Sequence, residues 1–471
     1  MDSPIWRWSA VETAAAIRQR NISCTEAVQA ALERLRTAND DVNAITVDLS
    51  EEALATAQRA DGVIESGMAV GPLHGVPITI KENTDQQGQS NPNGIPGFAH
   101  VMATEDAPIV ANLRRAGAII IGRTNTPEFS YRWFTDNPLR GLTANPWAAD
   151  RTPGGSSGGA ATAVVLGMGD IAHGNDLGGS LRYPAYACGA ATIRPSLGRI
   201  AAYNASSTGE RPPMIQLMSV QGPIAREVRD VRLALRVMAN PDARDPWWQP
   251  APMEGPRLYP PIRVALTEEP AGIRCHPSVA QALDTAAQHL ERAGYAVEAV
   301  NPPWVADIAA AWRNLLMTDT QVMTAQAMRE HGSDEINQVL DGYMAASQIL
   351  DLNGYINALA DRTRLLRAWS VFMETYPLVL APVSQVPPFQ QLEDLQGTER
   401  VRQMLDEQSM LYSINLLGLP AAAVPTGVVD GVPIGVQIIG PRFREDLCLD
   451  AAQVIETGVG ILARQLWERE S

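Results

Sequence analysis

Residues 151–182 read RTPGGSSGGAATAVVLGMGDIAHGNDLGGSLR. Two glycine-rich turns stand in this stretch, GGSSGG at 154–159 and NDLGGS at 175–180, and each carries serine. Glycine admits positive φ and leaves backbone N–H groups uncovered. The apolar run after the first turn predicts a helix, whose opening turn would present further N–H groups. Ser180 lies 24 residues beyond Ser156. Two such turns can hold two hydroxyls together, with several backbone donors aimed at one point. Acyl transfer needs that combination: a nucleophile, a proton relay and an oxyanion hole.

The same residues admit other readings. Neither turn is followed by GK[ST], so neither is a Walker A loop, and no GxGxxG occurs. Residues 154–158, GGSSG, do match GxSxG, the nucleophile elbow of α/β-hydrolases, which would make Ser156 the nucleophile. An elbow follows a buried strand, whereas the preceding NPWAADRTP (145–153) is polar, punctuated by proline, and reads as loop. A third reading takes both turns as packing features alone.

Upstream, GPLHGVPITIK (71–81) is a loop feeding a short apolar strand over 76–80, with Lys81 at its end. Of the 37 basic residues Lys81 is the single lysine, so 36 are arginine (37 less 1). A surface ammonium can become a guanidinium at little cost. A lysine that must release its proton cannot, because arginine stays charged at any accessible pH. Lys81 is therefore a candidate general base before any motif is consulted.

Further out, a helix over 108–116 leads into a strand at 118–122 (AIIIG), the pattern of an α/β sheet buried on both faces. The first sixty residues read as helices, with capping boxes at Ser9/Glu12 and Ser23/Glu26. Seven prolines between 241 and 261 mark an irregular excursion over about 241–262. Strands at 263–267 and 296–300 flank a helix over 277–293, and residues 304–375 are mostly helical. Apolar segments at 421–424 and 436–440 precede a last helix around 446–456.

Composition narrows the function. The chain has 471 residues with 45% hydrophobic and 19% charged, and a net charge of -15 without a basic stripe. Phosphate backbones would be repelled, so nucleic acid is not an expected partner. Four scattered cysteines without a CxxC pair support neither a disulfide framework nor a zinc site. The start lacks the basic and apolar regions of a secretory signal, and no uncharged apolar run reaches the length of a membrane span, the Ala-rich stretch 158–168 being too short. A cytoplasmic location and no membrane partner are expected. Among the six histidines, His74 and His173 lie near the motifs and are expected to be local hydrogen-bond partners. His100, His276, His289 and His331 show no metal or triad spacing.

Taken together, these motifs resemble those of the amidase signature family, the Ser-cisSer-Lys serine hydrolases, over nearly the whole chain. GPLHGVPITIKEN (71–83) is similar to its lysine motif, RTPGGSSGGAATAV (151–164) to its glycine/serine signature, and GNDLGGSLRYPAYACG (174–189) to its nucleophile segment. RPSLGRI (194–200), SVQGPIAREVRDVRLAL (219–235), INLLGLPAAAVPTG (414–427) and GVPIGVQIIGPR (431–442) match the segments that follow. The resemblance implies one α/β domain over 1–471, a large mixed β-sheet core surrounded by helices, with no cofactor and no metal. It implies hydrolysis of a carboxylic amide to acid plus ammonia or amine, and a homodimer is the expected assembly.

Residue by residue, the resemblance makes Ser180 the acyl-forming nucleophile, Ser156 the bridging serine on an unusual cis peptide, and Lys81 the base. The backbone N–H groups of Leu177, Gly178, Gly179 and Ser180 would form the oxyanion hole, with Ser157, Asp176 and Arg182 supporting the loop. Two departures stand out: Asn175 where threonine is common, and Glu82 where aspartate often follows the lysine. Neither is expected to touch the triad. The region 304–375 and the residues just after Glu128 are expected to line the acyl pocket. Tyr131, Trp133 and Phe134 would then shape an apolar site for an aromatic or aliphatic acyl group. The alternatives are a glutaminase-type subunit of a tRNA-dependent amidotransferase, which needs partner chains, and a catalytically silent binding protein. The segments GGSLRYPA and SVQGPIA depart from the amidotransferase pattern, and an intact triad opposes the silent scaffold.

Overall fold

The computed structural model describes residues 3–469, so the outermost residues of the domain expected over 1–471 lie outside the described residues. Eleven strands form one mixed sheet. In chain order they are β1 (Ile45–Asp48), β2 (Pro77–Lys81), β3 (Ile119–Thr124), β4 (Ile171–Asp176), β5 (Ala191–Arg194), β6 (Val220–Ala225), β7 (Arg263–Leu266), β8 (Ala296–Ala299), β9 (Leu378–Pro382), β10 (Ala421–Val429) and β11 (Val432–Ile439). Their order across the sheet is β1-β3-β2-β4-β6-β5-β10-β11-β9-β7-β8. Every residue of β2, β3, β9 and β11 is buried, which is why these strands are mainly apolar rather than alternating, with Lys81, Arg123 and Gln437 among their few buried polar side chains. Helices cover both faces, and both predicted capping boxes form at Ser9/Glu12 and Ser23/Glu26.

Several elements differ from the sequence reading. β1 interrupts the helical first sixty residues; only four residues long, it pairs antiparallel with β3 at the sheet edge. Within the glycine-rich segment 153–195 the helix expected after the first turn forms at Gly158–Val165, and a second helix, Arg182–Cys188, and two strands, β4 and β5, add to it; Gly158 and Gly159 open the first helix and Gly174 lies inside β4. β6 escapes a propensity reading because Pro223 stands inside it. The apolar segments near the C-terminal end extend into a hairpin, β10 paired with β11, and a further helix, Ala463–Arg469, follows Glu445–Val459. Residues 304–375 carry four helices, Val305–Met323, Ala325–His331, Asp334–Ala345 and Leu352–Thr375. The proline-rich stretch has no regular element and contains a cis bond at Pro260–Pro261.

The site follows from one pairing. β2 and β4 run parallel as neighbours, with Ile78 opposite Ile171 and Thr79 opposite Ala172. Parallel neighbours end at the same edge of a sheet, the usual place for ligand sites in α/β folds. The end of β2 delivers Lys81, and the end of β4 delivers Asn175 and the loop leading to Ser180.

Candidate active site

Lys81 completes β2 and is wholly buried. Its Nζ lies 2.7 Å from Ser156 Oγ, 3.1 Å from Ser157 Oγ and 2.7 Å from Asn175 Oδ1. The third contact corrects the sequence reading, in which Asn175 was expected to stay clear of the triad. A longer side chain than threonine, at the end of the strand beside β2, reaches the amine directly. Glu82 does stay clear, held in a two-pronged pair by Arg140 Nε at 2.9 Å and Nη2 at 2.6 Å. Burial drives the Lys81 amine well below its ordinary pKa, and the charge of Asp176 opposes the shift only in part.

The Gly155–Ser156 peptide is cis. Residues 145–157 form a loop, so Ser156 follows no buried strand and the elbow reading fails. A Cβ on Gly155 would stand 2.4 Å from the Arg132 carbonyl oxygen, so only glycine permits this close approach. Ser157 directly precedes the Gly158–Val165 helix, and its side chain packs where a Cβ on Gly174 would intrude, at 2.7 Å from Ser157 Oγ.

Asp176 organises the loop that carries Ser180. Its carboxylate accepts from the N–H of Gly179 at 2.7 Å and of Leu181 at 3.2 Å, from Arg182 Nε at 3.1 Å and from Asn415 Nδ2 at 2.8 Å. Burial alone would raise this carboxyl, but Arg182, Arg194 and the Asn415 hydrogen bond hold it well below the usual carboxylate range. The Gly179 N–H is thereby committed to Asp176, which corrects its expected place in the oxyanion hole. Leu177, Gly178 and Ser180 are the three of the four whose N–H groups are not committed to Asp176. Two indoles fix the same loop from its carbonyl side: Trp312 Nε1 donates to Leu177 O at 3.2 Å and Trp133 Nε1 to Gly178 O at 2.9 Å. In a trans peptide the N–H points opposite to its C=O, so the Gly178 N–H is turned away from Trp312.

Asp176→Asn is expected to cost about 3–5 kcal/mol of stability, because it leaves two buried guanidiniums without a carboxylate. Urea unfolding of the variant beside the wild type would check it; a midpoint unchanged at equal m-value is the contrary result.

Ser180 is 7% exposed and faces two chambers at once. Among the described residues no hydrogen bond joins its hydroxyl to Ser156 in the resting state, and such contacts commonly tighten only when substrate binds. The first chamber is a narrow, mainly apolar slot walled by Tyr131, Trp133, Trp312, Leu316, Met317 and Tyr343. Trp312 stacks on Tyr412 at 4.5 Å and Tyr131 hydrogen-bonds Thr320, so the walls are held in place. Tyr131 and Trp133 line this slot. Phe134 does not: fully buried, it stacks on Phe389 at 6.1 Å, on the core side of its segment. The second chamber is a larger vestibule of mixed walls, in which Asn83, Ser130, Ser156, Asn175, Gln221 and, from the proline-rich stretch, Arg244 stand beside apolar residues such as Ile109, Phe129 and Trp247.

The histidines are bystanders to this chemistry. His74 Nε2 meets Ala60 O at 3.0 Å, and His173 Nε2 meets Gln221 Oε1 at 2.8 Å, with burial pulling His173 down to about 4. Among the described residues no group of His, Cys, Asp and Glu could hold a metal ion, and no helix is long and apolar enough to cross a membrane.

Residues 26–449 match the family model described as Amidase. The chain is 52% identical to an indoleacetamide hydrolase of Bradyrhizobium diazoefficiens, covering 99% of this chain and 89% of that one. It is 32% identical to an acylamidase of Rhodococcus erythropolis, covering 95% of this chain and 94% of that one. Among solved structures it superposes on a bacterial aryl acylamidase of the amidase signature enzymes with a TM-score of 0.83, at 26% identity over 99% of each chain.

Proposed function

The chain belongs to the amidase signature family and hydrolyses amides, and from that premise we propose that its substrates are primary amides of arylacetic acids, indole-3-acetamide foremost. The observation that carries this reading is the pair of chambers meeting at Ser180: an aromatic slot on one side, a larger vestibule of mixed polar and apolar walls on the other. A flat ring on a short methylene arm fills the first and brings its carboxamide to Ser180. Ammonia and water use the second. The relative of 52% identity, named for indoleacetamide, points the same way.

The steps follow from the residues. Neutral Lys81 takes the Ser156 proton as Ser156 takes that of Ser180, and the Ser180 oxygen forms a bond to the amide carbon. The N–H groups of Leu177, Gly178 and Ser180 receive the charge that develops on the carbonyl oxygen. The proton returns along the same path to the amide nitrogen, the C–N bond breaks, and ammonia leaves an acyl ester on Ser180. Water, deprotonated through the same relay, then releases the acid and restores the serine.

Rates on indole-3-acetamide, phenylacetamide, acetamide and glutamine decide the reading. Indole-3-acetamide should exceed acetamide in kcat/KM by at least about 100-fold, the effect of burying an aromatic group worth roughly 3 kcal/mol. Met317→Trp, which fills the slot, should lower the indole substrate by about 10- to 100-fold and spare acetamide. Equal rates on acetamide and indole-3-acetamide, or a preference for glutamine, would defeat it.

A further inference from the structure

A neutral amine has two N–H bonds and one lone pair, and three side-chain oxygens surround Lys81 Nζ. Which oxygen meets the lone pair decides where the lysine can draw its proton. Asn175 cannot be that partner. Its Nδ2 donates to Asn83 Oδ1 at 2.9 Å, so Oδ1 is the atom turned to the lysine, and a carbonyl oxygen only accepts. Asn83 is fixed in turn, because its Nδ2 donates to Ser130 Oγ at 2.8 Å and the Ser130 hydroxyl donates to Asn93 Oδ1 at 2.7 Å. Ser157 is the more distant hydroxyl, at 3.1 Å from the amine against 2.7 Å for Ser156, and its own hydroxyl is directed at the Asn175 carbonyl, 3.4 Å away. Asn175 and Ser157 therefore use both N–H bonds, and the lone pair is left for Ser156.

We infer that Asn175, oriented by Asn83, is a positioning residue that turns the lone pair of neutral Lys81 onto the hydroxyl of Ser156. A hydroxyl at position 175 could donate or accept and would leave the lone pair undirected. An amide anchored at its nitrogen has no such freedom. When Lys81 takes up the proton, the new N–H points back at Ser156, and neither amide has to turn. The charged and titratable groups around the amine do not compete for it. Asp176 on β4 is engaged by Arg182 and Arg194, and Glu82 by Arg140. Arg123 on β3 donates to backbone carbonyls, and buried His173 on β4 is neutral.

The inference rests on the Ser180–Ser156–Lys81 relay proposed above, and its first readout needs no amide substrate. The rate at which a fluorophosphonate labels Ser180 is measured against pH for the wild type, Asn175→Leu, Asn83→Leu, their double variant and Asn175→Asp. With indole-3-acetamide, kcat and KM are measured alongside. Asn175→Leu should slow labelling and kcat by about 100-fold with KM unchanged, within the span of a misdirected general base. Asn83→Leu, which touches no member of the triad, should slow them by about 10-fold. The double variant should be no slower than Asn175→Leu alone, since both act through one orientation. Asn175→Asp, of the same shape, sets a carboxylate against the amine and should move the acid limb of the labelling profile up by at least about one pH unit. Multiplying losses in the double variant, a loss confined to KM, or an unmoved Asn175→Asp profile would overturn the inference. Wild-type protein that labels as expected yet leaves indole-3-acetamide intact would sink the substrate reading alone.

Discussion

Ser180→Ala is expected to abolish hydrolysis of indole-3-acetamide, with kcat falling on the order of 10⁶-fold, the loss seen when a nucleophile acting within a catalytic unit is removed. The replacement deletes one oxygen from a residue that is 7% exposed and lines two chambers, so the fold should hardly register it. Intact mass after fluorophosphonate treatment gives the second readout. The wild type should gain one adduct, mapped to Ser180, and Ser180→Ala should gain none. An adduct on Ser156 in the wild type would contradict the assignment, because Ser156 would then be the attacking oxygen and Lys81, at 2.7 Å, its immediate base.

Lys81→Arg carries the next largest effect. Elsewhere this chain uses arginine for every basic side chain, yet at this position guanidinium cannot yield its proton. A fall in kcat/KM of at least about 10³-fold is expected, together with loss of the acid limb that the wild-type profile owes to Lys81. In the wild type, activity should rise with pH as the amine sheds its proton, at a pH well below the ordinary value for lysine. Stability follows the same sign. The unfolded amine holds its proton up to about pH 10.4, whereas the buried one releases it earlier. Between those two values the unfolded chain binds one more proton, and stability rises with pH by about 1.4 kcal/mol per unit. Lys81→Met should lose that slope, which urea titrations at several pH values would measure. Wild-type turnover by Lys81→Arg, or parallel stability slopes in wild type and Lys81→Met, would remove lysine from the role of base.

Much of this site was legible in the sequence because its chemistry is written in short, local runs. Ser156 and Ser180 stand in glycine-rich turns whose composition has few other uses, and a single lysine among arginines needs a reason. The places where reading stopped are those where distance in the chain hides contact. Trp312 and Tyr343 lie within the region 304–375 expected to line the pocket, but nothing in their own neighbourhoods singles them out there from ordinary core. Phe134 illustrates the converse: adjacent to Trp133, it belongs to the core, and the direction a side chain takes out of an irregular segment is set by packing. Gly179 was assigned by position, but its N–H is claimed by a carboxylate three residues earlier. Asn175 lies 94 residues from Lys81 along the chain, and its reach to the amine exists only across the sheet. The same limit applies to β1 and β6, one too short and one broken by proline, which exist because partner strands complete them.

The lone, enclosed Lys81 amine has one more consequence. Growing the protein on lysine carrying nitrogen-15 at Nζ would introduce a single resonance for the whole 471-residue chain, placed at the reacting end of the relay. Amine-directed reagents, which decorate most proteins at many surface lysines, would find no lysine on this surface. The molecule thus comes with a built-in reporter: its one lysine signal speaks for the active site alone, with no background to subtract.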